Sequence, residues 1–156
     1  MRKSFVKVTT RGNVVKVVRE HYLRDDIPCG MQGCSKCADV WEQLPTVPVL
    51  LAADKAVLVP DTNLFLHHMD VFESDHFVNV VVLQTVLDEV RNHNQAIYNK
   101  IRNLVQQPHK HFFVFSNEHH RGCHVERMAG ESDNDRNDRA IRQAALFYKD
   151  HLVGAM

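Results

Sequence analysis

The chain has 156 residues, with 19 lysines and arginines against 19 acids; 44% of its residues are apolar and 24% charged. That is enough chain for a domain with a real core, and the composition excludes collagen, coiled coil and wholesale disorder. No stretch nears the ~18 apolar residues needed to span a bilayer, and residues 1–20 are charged throughout with no apolar h-region, so neither a membrane span nor a secretory leader is expected.

Neutrality hides an asymmetry. Residues 1–20 hold six basic residues (Arg2, Lys3, Lys7, Arg11, Lys16, Arg19) and one acid, Glu20, a balance of +5 that leaves −5 on the rest. A basic arm on an acidic body suits RNA or an acidic protein, although charge alone favours the solvated face of a hairpin. The alternation in residues 4–9 and 14–18, around Arg11-Gly12-Asn13, predicts a β-hairpin. Residues 28–37 form a Pro/Gly/Cys loop and 44–54 a Pro-containing linker. The chain therefore divides into an N-terminal part, 1–54, and a main domain, 55–156.

From Ala56 onward strands alternate with helices. Ala56–Val59 is a short apolar run leading into Pro60-Asp61-Thr62-Asn63 and a helix. Phe77–Leu83 is almost continuously apolar, as in a strand covered on both faces. Val86, Val90, Ile97, Ile101 and Val105 then recur at helical spacing. His111–Phe115 reads as a third strand, and Ile141, Ala145, Tyr148 and Leu152 mark a last helix. The order predicts an α/β fold with a parallel sheet flanked by helices.

Sites in such sheets form beyond the carboxyl ends of the strands. Asp61 follows the first strand, Glu89 lies six residues beyond Leu83, and Asp133, Asp135 and Asp138 stand near the start of the last helix. Singly, each acid is explained as a cap or dipole partner. Together, three on one edge would repel one another unless a divalent cation sits among them, and hard carboxylate oxygens suit Mg²⁺ or Mn²⁺. No Walker loop and no G-x-S-x-G occurs, which disfavours nucleotide hydrolysis and serine chemistry.

Leu58-Val59-Pro60-Asp61-Thr62-Asn63 resembles the opening of a PIN-type nuclease domain. Three longer strings are similar to the N-terminal region of the RNase II/R-family catalytic subunit of the eukaryotic RNA exosome. They are Arg19-Glu20-His21-Tyr22-Leu23-Arg24-Asp25-Asp26-Ile27, Val82-Leu83-Gln84-Thr85-Val86-Leu87 and Asn134-Asp135-Arg136-Asn137-Asp138-Arg139-Ala140-Ile141-Arg142. The resemblance implies a PIN-like sheet and endonucleolytic cleavage of single-stranded RNA with Mn²⁺ or Mg²⁺. It also implies exosome core subunits as partners, a role in RNA processing and decay, and a place in nucleus and cytoplasm. It assigns metal binding to Asp61, Glu89 and Asp138, with Asn63 and Thr62 orienting Asp61 by hydrogen bonds. Asp88 and Asp135 are surface or capping residues in this reading. The family carries a fourth acid on a strand after the last helix. This chain stops at Met156, so a fold truncated before its last strand is expected. Asn117-Glu118-His119-His120-Arg121 follows the third strand, and Arg121 and Arg139 are candidates for RNA-backbone contacts. The alternative is a non-catalytic docking module that tethers a larger nuclease to the core complex.

Cys29, Cys34 and Cys37, in C-x₄-C-x₂-C spacing, offer three soft ligands in a glycine-containing loop. Structural Zn²⁺ wants four. His21, His119, His120, Cys123 and His151 all qualify by type as the fourth; three reduced thiols in a turn is the plainer alternative. The resembled family pairs such a motif with a histidine late in its final helix, and His151 is the matching position. Cys123 is expected to be a spectator.

Overall fold

The structure, a computed structural model, describes residues 2–43, 49–51 and 55–153, with the side chains of 2–5, 7, 17–20 and 153 set aside. Most of the expected linker at 44–54 lies outside the described residues. β1 (Arg2–Val8) and β2 (Val14–Glu20) pair antiparallel, Val8 opposite Val14. Thr9 closes the turn, its amide donating to Asn13 O and its carbonyl accepting from Gly12 N, both at 2.9 Å. The hairpin is where the alternation placed it.

The cysteine loop follows and leads into α1 (Ala38–Glu42). Its core position depends on Gly30, which sits at φ +82° against the ring of Phe113. A Cβ there would come within 2.6 Å of that ring, so only glycine lets the backbone approach so closely.

The main sheet is parallel and three segments wide among the described residues. β3 (Val80–Leu83) pairs with β4 (Phe112–Phe115) in the register Val80 to Phe112 through Leu83 to Phe115. The first predicted strand, 56–59, contracts to a single parallel bridge of Leu58 to Val80. All four β3 residues are fully buried. Such burial is worth about 2 kcal/mol per side chain, which explains the continuous apolar run.

β3 starts three residues later than its apolar run because Asn79 adopts φ +66°, a region asparagine tolerates. The Asn79 side chain accepts from Leu51 N at 2.8 Å and donates to Ala56 O at 2.9 Å. His111, at φ +53°, delays β4 in the same way.

Helices cover the sheet: α2 (Thr62–His67), α3 (Met69–Glu73), α4 (Gln84–His93), α5 (Gln95–Val105) and α6 (Asp133–Val153). The single helical run expected from Val86 to Val105 is two helices. Asn94 divides them, its Oδ1 accepting from Ala96 N and Ile97 N at 3.0 and 3.1 Å. On α6 the buried stripe is Ala140, Ala144, Tyr148 and His151; Ala145 is exposed, one residue off the expected face. Among the described residues no helix is long and apolar enough to cross a membrane.

Candidate functional site

Two clusters differ in burial: the cysteines are buried, whereas Asp61 and Glu89 are half-buried and Asp138 is exposed. The first is the cysteine loop. Cys29, Cys34 and Cys37 are buried, and their sulfurs lie within 4.8 Å of one another, the one such donor cluster among the described residues. α6 reaches this loop at three points. Tyr148 donates its hydroxyl to Cys29 O at 2.7 Å, Asp150 pairs with Lys36, and His151 meets Cys37. His151 Nδ1 lies 2.8 Å from Phe147 O. A carbonyl only accepts, so Nδ1 carries a proton, and in the neutral imidazole the lone pair is then on Nε2.

The Cys29 thiol donates to Cys37 and, with help from His151 and against burial, lowers the Cys37 thiol to about 4. The same shared proton, with burial, raises Cys29, while burial chiefly raises Cys34. Burial opposes protonation of His151, but its bonds to Cys37 and Phe147 outweigh that and raise it. Three sulfurs and an imidazole held in one tautomer are a donor set that fits Zn²⁺. Of the other candidates for a fourth ligand, Cys123 is buried and its thiol is pushed up to about 12 by that burial alone. His21 and His119 stack on each other instead, with centroids 4.8 Å apart, and His120 accepts from Gly122 N at 3.0 Å and sets its ring against Phe147.

The second cluster is acidic and stands at the carboxyl ends of the strands. Asp61 caps α2, its Oδ1 accepting from Leu64 N at 2.9 Å. Thr62, next to it, donates its hydroxyl to Glu89 Oε2 at 2.6 Å. Thr62 was expected to orient Asp61; its hydroxyl is spent on Glu89 instead, and Asp61 is held by the amide of Leu64. Asn63 is exposed and makes no hydrogen bond to Asp61 among the described residues. Glu89 lines a cleft of about 520 Å³ with Asp88, Glu118, Asp133, Asn134 and Arg136.

Neither Asp61 nor Asp138, exposed on α6, lines that cleft, and the three acids do not close to ligand distance of one another. None of the three pairs with a basic side chain among the described residues, whereas the neighbouring acids do. Asp88 meets Arg91 at 3.3 Å and Asp133 meets Arg127 at 2.9 Å. Asp135 stands in the first turn of α6, where Ser132 is the cap: Ser132 Oγ accepts from the Asp135 amide and donates to its carboxylate. Unpaired carboxylates from separate elements fit a hard divalent cation such as Mn²⁺ or Mg²⁺.

The expected RNA contacts are already engaged within the chain. Arg121 pairs with Asp25 at 2.9 Å, and Arg139 pairs with Glu131 at 2.6 Å and donates to Glu126 O. Residue patterns gave no sign of the polar assembly behind the cleft. Asn117 Oδ1 accepts from Thr85 N, Asn117 Nδ2 donates to Thr85 Oγ1, and Thr85 donates that hydroxyl to Glu118. Only the placement of Asn117-Glu118 just past β4 hinted at it.

The PIN domain family matches residues 58–155. The chain belongs to that family. The human protein named exosome complex exonuclease RRP44 is 49% identical over 96% of this chain, and the Schizosaccharomyces pombe exosome complex exonuclease dis3 is 41% identical over the same share. This chain spans 16% of the length of each. The solved PIN domain of Trypanosoma brucei RRP44 superposes with a TM-score of 0.78 at 35% identity, over 86% of this chain and 71% of that one. PIN domains are nuclease domains, and the expected family and parallel-sheet fold stand.

Proposed function

We propose that this PIN domain is a divalent-metal-dependent endoribonuclease that cleaves single-stranded RNA as part of the exosome, with its N-terminal loop fastened by a structural Zn²⁺. The observation that carries the catalytic half is the pairing of α2 with α4 beside two acids: Thr62, next in sequence to Asp61, donates its hydroxyl to Glu89, and neither acid forms an ion pair with a basic side chain among the described residues. Asp61, Glu89 and Asp138 would hold Mn²⁺ or Mg²⁺. The bound cation supplies positive charge to a phosphodiester and acidity to a water. The chain's own part is to fix the acids. The α2 cap holds the Asp61 carboxylate, and Thr62 holds one oxygen of Glu89 and leaves the other available. Cys29, Cys34, Cys37 and His151 would hold the zinc, tying the loop to α6. The names of the relatives support exosome core subunits as partners.

The test is cleavage of a circular RNA, which offers no ends to an exonuclease. Mn²⁺ should support it and Asp61→Asn should abolish it; cleavage that survives Asp61→Asn refutes the assignment of the site.

A second reading, a docking module, is favoured by the hairpin. Val6, Val8 and Val14 are 63–69% exposed on a two-stranded sheet, an arrangement of marginal stability alone. In this reading the hairpin rests on a partner of the exosome core, and association survives removal of Mn²⁺. A folded chain that fails to bind core subunits counts against it.

A further inference from the structure

Arg136 poses a problem for a cation site. It lines the same cleft as Asp88, Glu89 and Asp133, two residues before Asp138 on α6. A guanidinium loose among those acids would sit on them and repel a metal ion. It is not loose. Its two terminal nitrogens donate to Glu118 at 2.6 and 2.5 Å, and Nε and one terminal nitrogen donate to Val125 O at 3.3 and 3.0 Å.

Glu118 is itself held in place by the Thr85 hydroxyl, which Asn117 Nδ2 fixes in turn at 2.8 Å. Both side chains of the pair are only 18% exposed, so water screens their attraction weakly. No hydrogen bond joins Glu118 to Asp61, Glu89 or Asp138 among the described residues; its partners are Arg136, Thr85 and, at 3.8 Å, His124.

We propose that Glu118 is a positioning residue for the metal site: it neutralises Arg136 and fixes it in the cleft wall, so that the acids stay available to a divalent cation. This rests on the metal-site reading above. Glu118 belongs to the folded frame of the cleft, Thr85 being one turn before Glu89 on α4 and Arg136 two residues before Asp138 on α6.

The test is Glu118→Gln, which keeps the shape and withdraws the charge. In a crystal structure of the metal-free variant, Arg136 turns toward the cleft acids. Mn²⁺ binding, followed by loss of the free-ion electron paramagnetic resonance signal, weakens about tenfold. Glu118→Gln/Arg136→Gln recovers wild-type binding, because the competing cation is gone. A merely structural role would leave the double variant no better than the single.

Unchanged Mn²⁺ binding in Glu118→Gln, or a double variant as weak as the single, overturns the proposal. Should the single variant fail to fold, the double decides: binding at wild-type strength supports the proposal and weaker binding overturns it. Asp61→Asn separates the two readings. If Asp61→Asn binds Mn²⁺ as tightly as wild type, or wild type takes up none, the acid-site reading itself fails. If Asp61→Asn loses the ion while Glu118→Gln keeps it, only the positioning role fails.

Discussion

Cys29, Cys34 and Cys37 bring three sulfurs within 4.8 Å of one another in the protein interior, whereas Asp61, Glu89 and Asp138 come from three elements and share no hydrogen bond among the described residues, Thr62 serving Glu89 alone. The difference is one of charge. Thiols can be neutral and pass protons among themselves, so they assemble and bury at small cost; Cys29 and Cys37 share one such proton. Carboxylates at neutral pH are charged, and three drawn together repel. The cysteine loop is therefore built as a fastening of the fold. The acids are left open, Asp61 as a helix cap and Glu89 holding the Thr62 hydroxyl, and in the proposed arrangement the Glu118–Arg136 pair keeps the Arg136 cation off them.

The largest effect should come from the fastening. Cys37→Ser removes one proposed zinc ligand and should cost at least about 4 kcal/mol in urea unfolding, with bound zinc lost by elemental analysis. A variant that keeps its stability would move the fastening elsewhere. The cleft should behave in the opposite way. Asp61→Asn preserves a good cap for Leu64 N, so stability should change by less than about 0.5 kcal/mol while Mn²⁺-dependent cleavage falls at least about 100-fold. Equal losses of stability and activity would erase the contrast.

Tyr148→Phe should cost about 1.5 kcal/mol, because Cys29 O is left buried without its donor; thermal melting reads this. The smallest effect is the acid dependence of the cleft wall. Burial alone would raise the Glu118 carboxyl, but the bonds from Arg136 and Thr85 outweigh it and hold it below the usual carboxylate range. A lowered folded-state pKa contributes stability that is fully present above the unfolded value of about 4.5 and is lost as pH falls through the folded one. Unfolding free energy should therefore decline below about pH 4.5, and less steeply in Glu118→Gln.

Much of the fold was legible because it rests on local periodicity. The hairpin around Gly12, the buried Val80–Leu83 strand and the last helix follow from alternation, continuity and 3.6-residue spacing. The errors fall where one side chain overrides the pattern. Asn79 and His111 take positive φ and shorten two strands, and Asn94 caps a new helix inside an apparently continuous one. Ala144, not Ala145, faces the core, since two small residues side by side carry no signal of which is turned inward.

Within the site, the same limit applies to partners. Cys29, Cys34 and Cys37 were readable from spacing because a loop of nine residues forces them together. Asp61 and Glu89 were readable from their place past strand ends. The receivers of Thr62, Arg121 and Arg139 were not, because hydrogen-bond partners 8 to 96 residues apart leave no trace in local pattern.

What the amino-acid order determined by itself was the alternation of strand and helix, the cysteine cluster and the set of acids. Those depend on residue type and short spacing, which act before the chain folds. Only the tertiary structure decided that Tyr148 ties the loop to α6, that Thr62 serves Glu89, and that Arg136 is claimed by Glu118. Each choice is a competition among distant donors and acceptors, and packing decides it by bringing one partner within about 3 Å and excluding water from the pair.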